Sequence, residues 1–479
     1  MSEIWALSMT ETAAAIRAGR LSSREVVTAA LERIAATDPV ANAFESVYND
    51  ALDAASAADA ARSSGEDLGP LHGVPVALKS NHDVAGYPTT SGVAAFANLP
   101  PAQETSPVGD RLRESGAIII GVTRMPSGGF RWSTESDEFG VTRNPWDPTV
   151  TAGASSGGAA VAVAVGAVPL AMGNDIGGSI RYPSTTNGVM GLRPTVNRVP
   201  NWLLAQPGLG APNAARSYCV DGPIARTVDD LRVSFDIIGR PDPRDPDAAD
   251  YNLPYDREAK PRIGVVRPEK GNFSLPNTPE VDGALDDAVA ALSDQGYQVA
   301  EVSVPQMIEA AGLWFQLAVA ELDASGYSDY MRQFAGSSGA AVWEYVLAVT
   351  RESFGEQSLG DAYAALQRRS LLRRQVSEFM VDYPVLLCAA SGEPPFPLGA
   401  DAESLDRCIE LIGHQWAAIG LPTLALPVVG LGTKTRPGQA PLGVQVIGRA
   451  FADHQALDVA EALAQARPIA TPIDPRPLA

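Results

Sequence analysis

Lysine is almost missing from this chain. Of its 36 basic residues only four are lysine, at Lys79, Lys260, Lys270 and Lys434, and only Lys79 lies in an apolar run. Histidine is as scarce. His72, His82, His414 and His454 show no HExxH or comparable ligand spacing, so a metal centre is not expected and each reads as a structural residue. The three cysteines, Cys219, Cys388 and Cys408, are widely spaced and form no CxxC, which excludes a zinc site and a disulfide framework. Long apolar runs are lacking too. Ala159 to Met172 is broken by Gly166 and Pro169 and is too short to span a bilayer. The opening residues carry neither a basic n-region nor a small-residue cleavage site, so a cytoplasmic protein is expected. Positive charge is outweighed, 36 basic against 56 acidic residues for a net charge of −20, and that argues against nucleic acid or an anionic membrane as partners.

What is present describes a globular chain of 479 residues with 45% hydrophobic content and no repeat. Capping-box spacings at Ser8 with Glu11 and at Ser22 with Glu25 open two helices, and residues 50–63 form an alanine-rich third. A buried strand is expected from Val74 to Leu78, ending at Lys79, and another over Ala117–Val122. Residues 221–239 read as a turn and a helix, and 240–262, rich in Pro and Asp, as a linker. Strands follow at Ile263–Val266 and Tyr297–Val304, with a helix between them that starts at Thr278-Pro279. Residues 305–382 look helical throughout. Strands are then expected at Val385–Ala389, Thr423–Val429 and Leu442–Ile447, with helices around 403–418 and 453–465. Strands alternating with helices at both ends predict an α/β fold: one large domain over 1–479 with a mixed, twisted β-sheet covered by helices on both faces. Its core would span about 60–240 and 385–470, with a helical insertion or lid at about 305–382.

The chemistry concentrates between Thr151 and Arg193. Two glycine-serine clusters, Gly153-Ala154-Ser155-Ser156-Gly157-Gly158 and Gly177-Gly178-Ser179, flank an apolar helix expected at Gly157–Val165 and a strand expected at Pro169–Met172. Gly153 to Gly157 matches the GxSxG nucleophile elbow, but Asn144-Pro145-Trp146-Asp147-Pro148 before it cannot be the central strand which that motif needs. A phosphate loop is also a poor fit, because no GxxxxGK[ST] occurs and no lysine lies nearby. A serine served by a lysine base remains. Burial in the VPVALK strand would depress the Lys79 pKa and make it a usable base.

Lys79 in GVPVALKSN, the GASSGG loop and GNDIGGSIRYPS together resemble the amidase signature family of serine hydrolases, and the resemblance runs along nearly the whole chain. It implies a Ser-cisSer-Lys triad with Ser179 as nucleophile, Ser155 as bridge and Lys79 as base. The N–H groups of Ile176, Gly177, Gly178 and Ser179 would form an oxyanion hole, with Ser156, Asp175 and Arg181 supporting the site. Met125, Gly128, Gly129 and Phe130 would line the substrate pocket. Three short motifs depart from the family's common pattern. KDN reads Lys79-Ser80-Asn81, GGSSGG reads GASSGG, and GTD reads Gly173-Asn174-Asp175.

The activity so implied is hydrolysis of linear amides (anilides, aliphatic amides or carbamates), with possible urethanase or esterase side activity. A small-molecule amide or carbamate would be the partner, no cofactor or metal is implied, and a monomer or homodimer is expected. Two alternatives stay open: one subunit of a glutamine amidotransferase that works on charged tRNA, and a non-catalytic binding protein on the same fold.

Overall fold

A computed structural model describes residues 3–66, 69–201 and 212–477. Among these, eleven strands form one mixed sheet. Their order is Phe44–Val47, Ile118–Thr123, Pro75–Lys79, Leu170–Asp175, Val220–Ala225, Met190–Arg193, Val428–Arg436, Gln439–Gly448, Val385–Ala389, Ile263–Val265 and Val299–Glu301. Pro75–Lys79 runs parallel to both of its neighbours, whereas Leu170–Asp175 and Val220–Ala225 are antiparallel.

The period-2 alternation of the strands sorts side chains between layers. Val76 and Leu78 join one core with the helices Val228–Ile238 and Asp453–Ala466, while Ala77 joins another with Ser23–Ala41 and Gly157–Ala164. Farther along the sheet, Leu386 and Cys388 pack into a third core under the helices between Pro305 and Phe379. Helices therefore cover both faces, and the chain is a single α/β domain. No helix among the described residues is long and apolar enough to cross a membrane.

Both expected capping boxes are present, at Ser8 with Glu11 and at Ser22 with Glu25. Thr278 stands at an N-cap, but its side chain makes no capping bond and Pro279 starts the helix. Three expectations need correction. Residues 220–225 form a fully buried strand rather than a turn. Its Gly222-Pro223 pair sits within an antiparallel ladder opposite Gly173 and Met172. Thr423 and Leu424 end the Trp416–Leu424 helix, and the strand begins only at Val428, after Ala425 turns at φ 61°. The sheet also extends beyond the bounds expected for the core, because Phe44–Val47, Ile263–Val265 and Val299–Glu301 pair at its two ends.

Candidate active site

Two parallel neighbouring strands carry the site at their C-terminal ends. Val76 pairs with Leu170 and Ala77 with Ala171, so Lys79 finishes its strand beside the Gly173-Asn174-Asp175 end of the next. Ligands in open α/β sheets bind at this end of the strands. The second strand is fed by the Gly157–Ala164 helix, every residue of which is buried. That helix carries the chain away from the first glycine-serine cluster and back toward the second.

Lys79 is wholly buried. Its Nζ donates to Ser155 Oγ at 2.7 Å and to Asn174 Oδ1 at 2.8 Å. Burial pushes its pKa down from 10.5 to about 7, against the opposing pull of Cys219, Asp175 and Asp221. At neutral pH a large fraction of Lys79 is thus the free amine, which accepts a proton. The Ala154–Ser155 peptide is cis. Ser179 lines a cavity that Ala154 also borders, and it is tied to the first cluster through the backbone, Ser156 N–H donating to Ser179 C=O at 3.1 Å. Among the described residues the Ser179 hydroxyl has no hydrogen-bond partner.

Asp175 organises the second cluster from below. Its carboxylate accepts from the amides of Gly178 (2.9 Å) and Ile180 (3.1 Å) and from two nitrogens of Arg181 (both 2.9 Å). Burial raises its pKa, but Arg181, Arg193 and the Gly178 amide outweigh that and hold it at about 2. Arg181 in turn donates to Gln445 Oε1 and Ala418 C=O, which anchors the loop to a distant strand and helix. One expectation is corrected here. The Gly178 N–H donates to Asp175, so it is not available as one of the four oxyanion donors expected.

Met125, Gly128, Gly129 and Phe130 lie together behind Ser155, with Gly129 and Phe130 forming a partition. In front of it Ser179, Ile176 and Gly177 share a cavity of about 470 Å³, open mouth included, with Phe130, Trp314 and Phe315. Arg131 also lines this cavity, but its guanidinium is fixed by two bonds to Asp401, at 2.6 and 3.1 Å. Among the described residues no His, Cys, Asp or Glu group could hold a metal ion.

The sequence reading gave no role to Asn81, Asn174 or Asp221. Asn174 Nδ2 donates to Asn81 Oδ1 at 2.8 Å. Asp221 lies beneath Lys79 with His82 3.2 Å away, both buried. Asn174 did stand out as a position that departs from the common motif and Asn81 as the neighbour of another, whereas Asp221 was hidden in the unrecognised strand.

The amidase family model matches residues 25–457. The chain belongs to the amidase signature family. Members of this family hydrolyse amide C–N bonds. The chain is similar to the indoleacetamide hydrolase of Bradyrhizobium diazoefficiens, with 33% identity over 96% of this chain and 86% of that one. It is equally similar to a glutamyl-tRNA(Gln) amidotransferase subunit from Chloroflexus aurantiacus, 33% identical over 96% and 97%. A solved structure from a vestigial complex bearing on the origins of an s-triazine catabolic enzyme superposes with a TM-score of 0.81. That match has 28% identity and covers 97% of this chain and 99% of that one.

Proposed function

We propose that this amidase signature protein hydrolyses the C–N bond of a neutral, predominantly apolar amide through an acyl-enzyme. The observation that carries the reading is a buried Lys79 bonded to Ser155, whose chain neighbour Ser156 is tied by a backbone bond to Ser179 on the cavity wall. Ser179 Oγ attacks the amide carbon while its proton passes to Ser155, whose own proton moves to Lys79. The oxyanion is held by the amides of Ile176, Gly177 and Ser179, each such donor being worth about 2.7–4 kcal/mol in the transition state. Collapse breaks the C–N bond, and the proton on Lys79 returns through Ser155 to the leaving nitrogen. Water then takes the place of the amine, attacks the Ser179 ester and releases a carboxylic acid. Ser156, Asp175 and Arg181 hold the loops, and the helices over 305–382 act as the lid of the pocket.

The chemistry of the pocket supports a neutral substrate. Its walls are aromatic and aliphatic, and its one guanidinium, Arg131, is already paired with Asp401. The second reading, a glutamine-hydrolysing component of a tRNA amidotransferase, is favoured by the Chloroflexus relative. Glutamine would bring a charged ammonium and carboxylate into this pocket, where among the described lining residues no unpaired charge meets them.

The test is turnover by the isolated chain on acetanilides, fatty amides, short aliphatic amides and aryl carbamates, with glutamine alongside, plus labelling by a fluorophosphonate. Hydrolysis of the apolar amides and an adduct that disappears in Ser179→Ala are expected. Glutaminase activity that needs a co-purifying protein would select the second reading, and absence of any adduct would leave only a binding protein.

A further inference from the structure

Among the described residues Lys79 Nζ bonds to two side chains, and only one of them belongs to the proposed proton path. Ser155 Oγ lies 2.7 Å away on one side, and Asn174 Oδ1 lies 2.8 Å away on the other. Asn174 is 5% exposed and stands at the end of the strand parallel to the one that carries Lys79. Its amide nitrogen donates to Asn81 Oδ1 at 2.8 Å. Asn81 lies two residues beyond Lys79, so the three side chains close a small ring across two strand ends.

Resting on the reading of Lys79 as the base, we propose that Asn174 is a positioning residue whose carbonyl oxygen, held in place by Asn81, turns the Lys79 lone pair toward Ser155. A neutral amine has two N–H donors and one lone pair. A carboxamide oxygen only accepts, so it takes an N–H and repels the lone pair. Reversing the Asn174 amide would point its NH₂ at the lysine and at the same time lose the bond to Asn81. With Asn81 accepting as it does here, the orientation is held by two bonds that fail together. With one N–H pinned on Asn174, the lone pair is left to rotate onto Ser155 Oγ, the atom whose proton it must take.

The charged and titratable groups around Lys79 do not supply this orientation. Asp175 follows on the same strand as Asn174, and its carboxylate is engaged by Arg181 and the Gly178 amide. Arg193 stands 3.5 Å from Asp175. Cys219 and Asp221 come from the neighbouring segment, and His82, just past the lysine, faces Asp221. These groups set the field at Nζ, but among the described residues none of them bonds to it. The family's common threonine at position 174 would offer a hydroxyl, which both donates and accepts. The asparagine here is one-directional, and its direction is set by a second asparagine.

The test is the pH dependence of kcat/KM on an amide that the wild type turns over, with wild type and Lys79→Ala measured first. An ascending limb that disappears in Lys79→Ala establishes the base. Activity and limb kept in Lys79→Ala overturn the base assignment, and the positioning role with it. With the base established, Asn174→Asp places a negative charge against the ammonium, and the limb is expected to move up by about 1–3 pH units. The plateau at high pH should recover to within about fivefold of wild type, because the acceptor is still present.

Asn174→Leu, close in size but without an acceptor, is expected to lose about 10–100-fold in kcat at every pH with KM changed by less than about threefold. Asn174→Thr should rescue most of that loss. Asn81→Ala should fall between, because it frees the amide to turn. An unmoved limb in folded Asn174→Asp overturns the proposal. Should that variant not fold, Asn174→Leu and Asn174→Thr decide between them. Equal rates for these two, in proteins with unchanged near-UV circular dichroism, would mean that the acceptor does nothing for the base.

Discussion

A single buried amine sets the pH behaviour expected of this protein. Lys79 reaches water only through its neighbours, and burial brings its pKa to about 7 from 10.5. The sign follows from which form works. The base must be neutral, so activity rises with pH, and kcat/KM should climb through a single limb near pH 7 and then level off. Were the amine left at its ordinary pKa, it would be neutral in only about one molecule in 2,500 at neutral pH. Lys79→Ala should lower kcat by about 10²–10⁴-fold at neutral pH, with a smaller loss toward alkaline pH, where hydroxide replaces the base. A Lys79→Ala enzyme as fast as wild type at pH 7 would mean that another group takes the proton. That Lys79 is buried at the end of an apolar strand was legible in the sequence, where a chain so poor in lysine placed one at the end of an apolar run. Its hydrogen bond to Asn174 was not legible, because it depends on the parallel register that sets Val76 beside Leu170, two residues far apart in the chain.

At the scale of elements, the Gly157–Ala164 helix sets the spacing between the two serines, and it does so by packing unusually close to its neighbours. A Cβ on Gly158 would come within 2.6 Å of Ala43 O and of Arg124 N and O, all backbone atoms that cannot rotate aside. Alanine normally stabilises a helix interior relative to glycine by about 0.5–1 kcal/mol. Here overpacking should dominate, and Gly158→Ala is expected to destabilise the protein by about 1–3 kcal/mol. Gly283 in the Pro279–Asp294 helix is the control, since a Cβ there would meet only Lys434 Nζ at 3.8 Å. Gly283→Ala should be neutral or stabilising by up to about 1 kcal/mol. Urea melts of the two variants measure the contrast, and equal shifts would refute the close-packing argument.

The same close packing explains which elements the sequence disclosed. Helix starts with capping residues and strands bounded by turns, such as Val385–Ala389, were readable because their signals are local. Val220–Ala225 was not, since Gly222 and Pro223 signal a turn unless the flanking strands supply a ladder. Nor could the run Leu421-Pro422-Thr423-Leu424 be divided correctly, because a short apolar stretch has no period that separates a buried helix from a strand.

For the molecule as a whole, the candidate site is a seam between two layers. The sheet side contributes Ala154, Ile176, Gly177 and Ser179 to the cavity, and the helices from Pro305 to Phe354 contribute the opposite wall. Among the bonds that join the layers at the seam, Trp314 Nε1 donates to Ile176 C=O at 2.8 Å, and Tyr327 Oη donates to Gly128 C=O at 2.7 Å. Phe130 sits between them, its ring edge-on to Trp343 at 4.7 Å and 5.8 Å from Trp314. A substrate with an aromatic or long acyl group would therefore bury its apolar part against Phe130, whereas acetamide would barely reach it. Full burial of a side chain of this size contributes about 1.5–3 kcal/mol, and Phe130→Ala should lower kcat/KM for an aryl or fatty amide by about 10–100-fold, mainly through KM. For acetamide the change should stay below about threefold. Both substrates must be measured on the same preparation, because a general disturbance of the seam, transmitted through Trp314 to the Ile176 peptide, would lower both rates alike. A selective loss on the larger substrate places its apolar group against Phe130, and a uniform loss would show that the ring supports the site without touching what it cleaves.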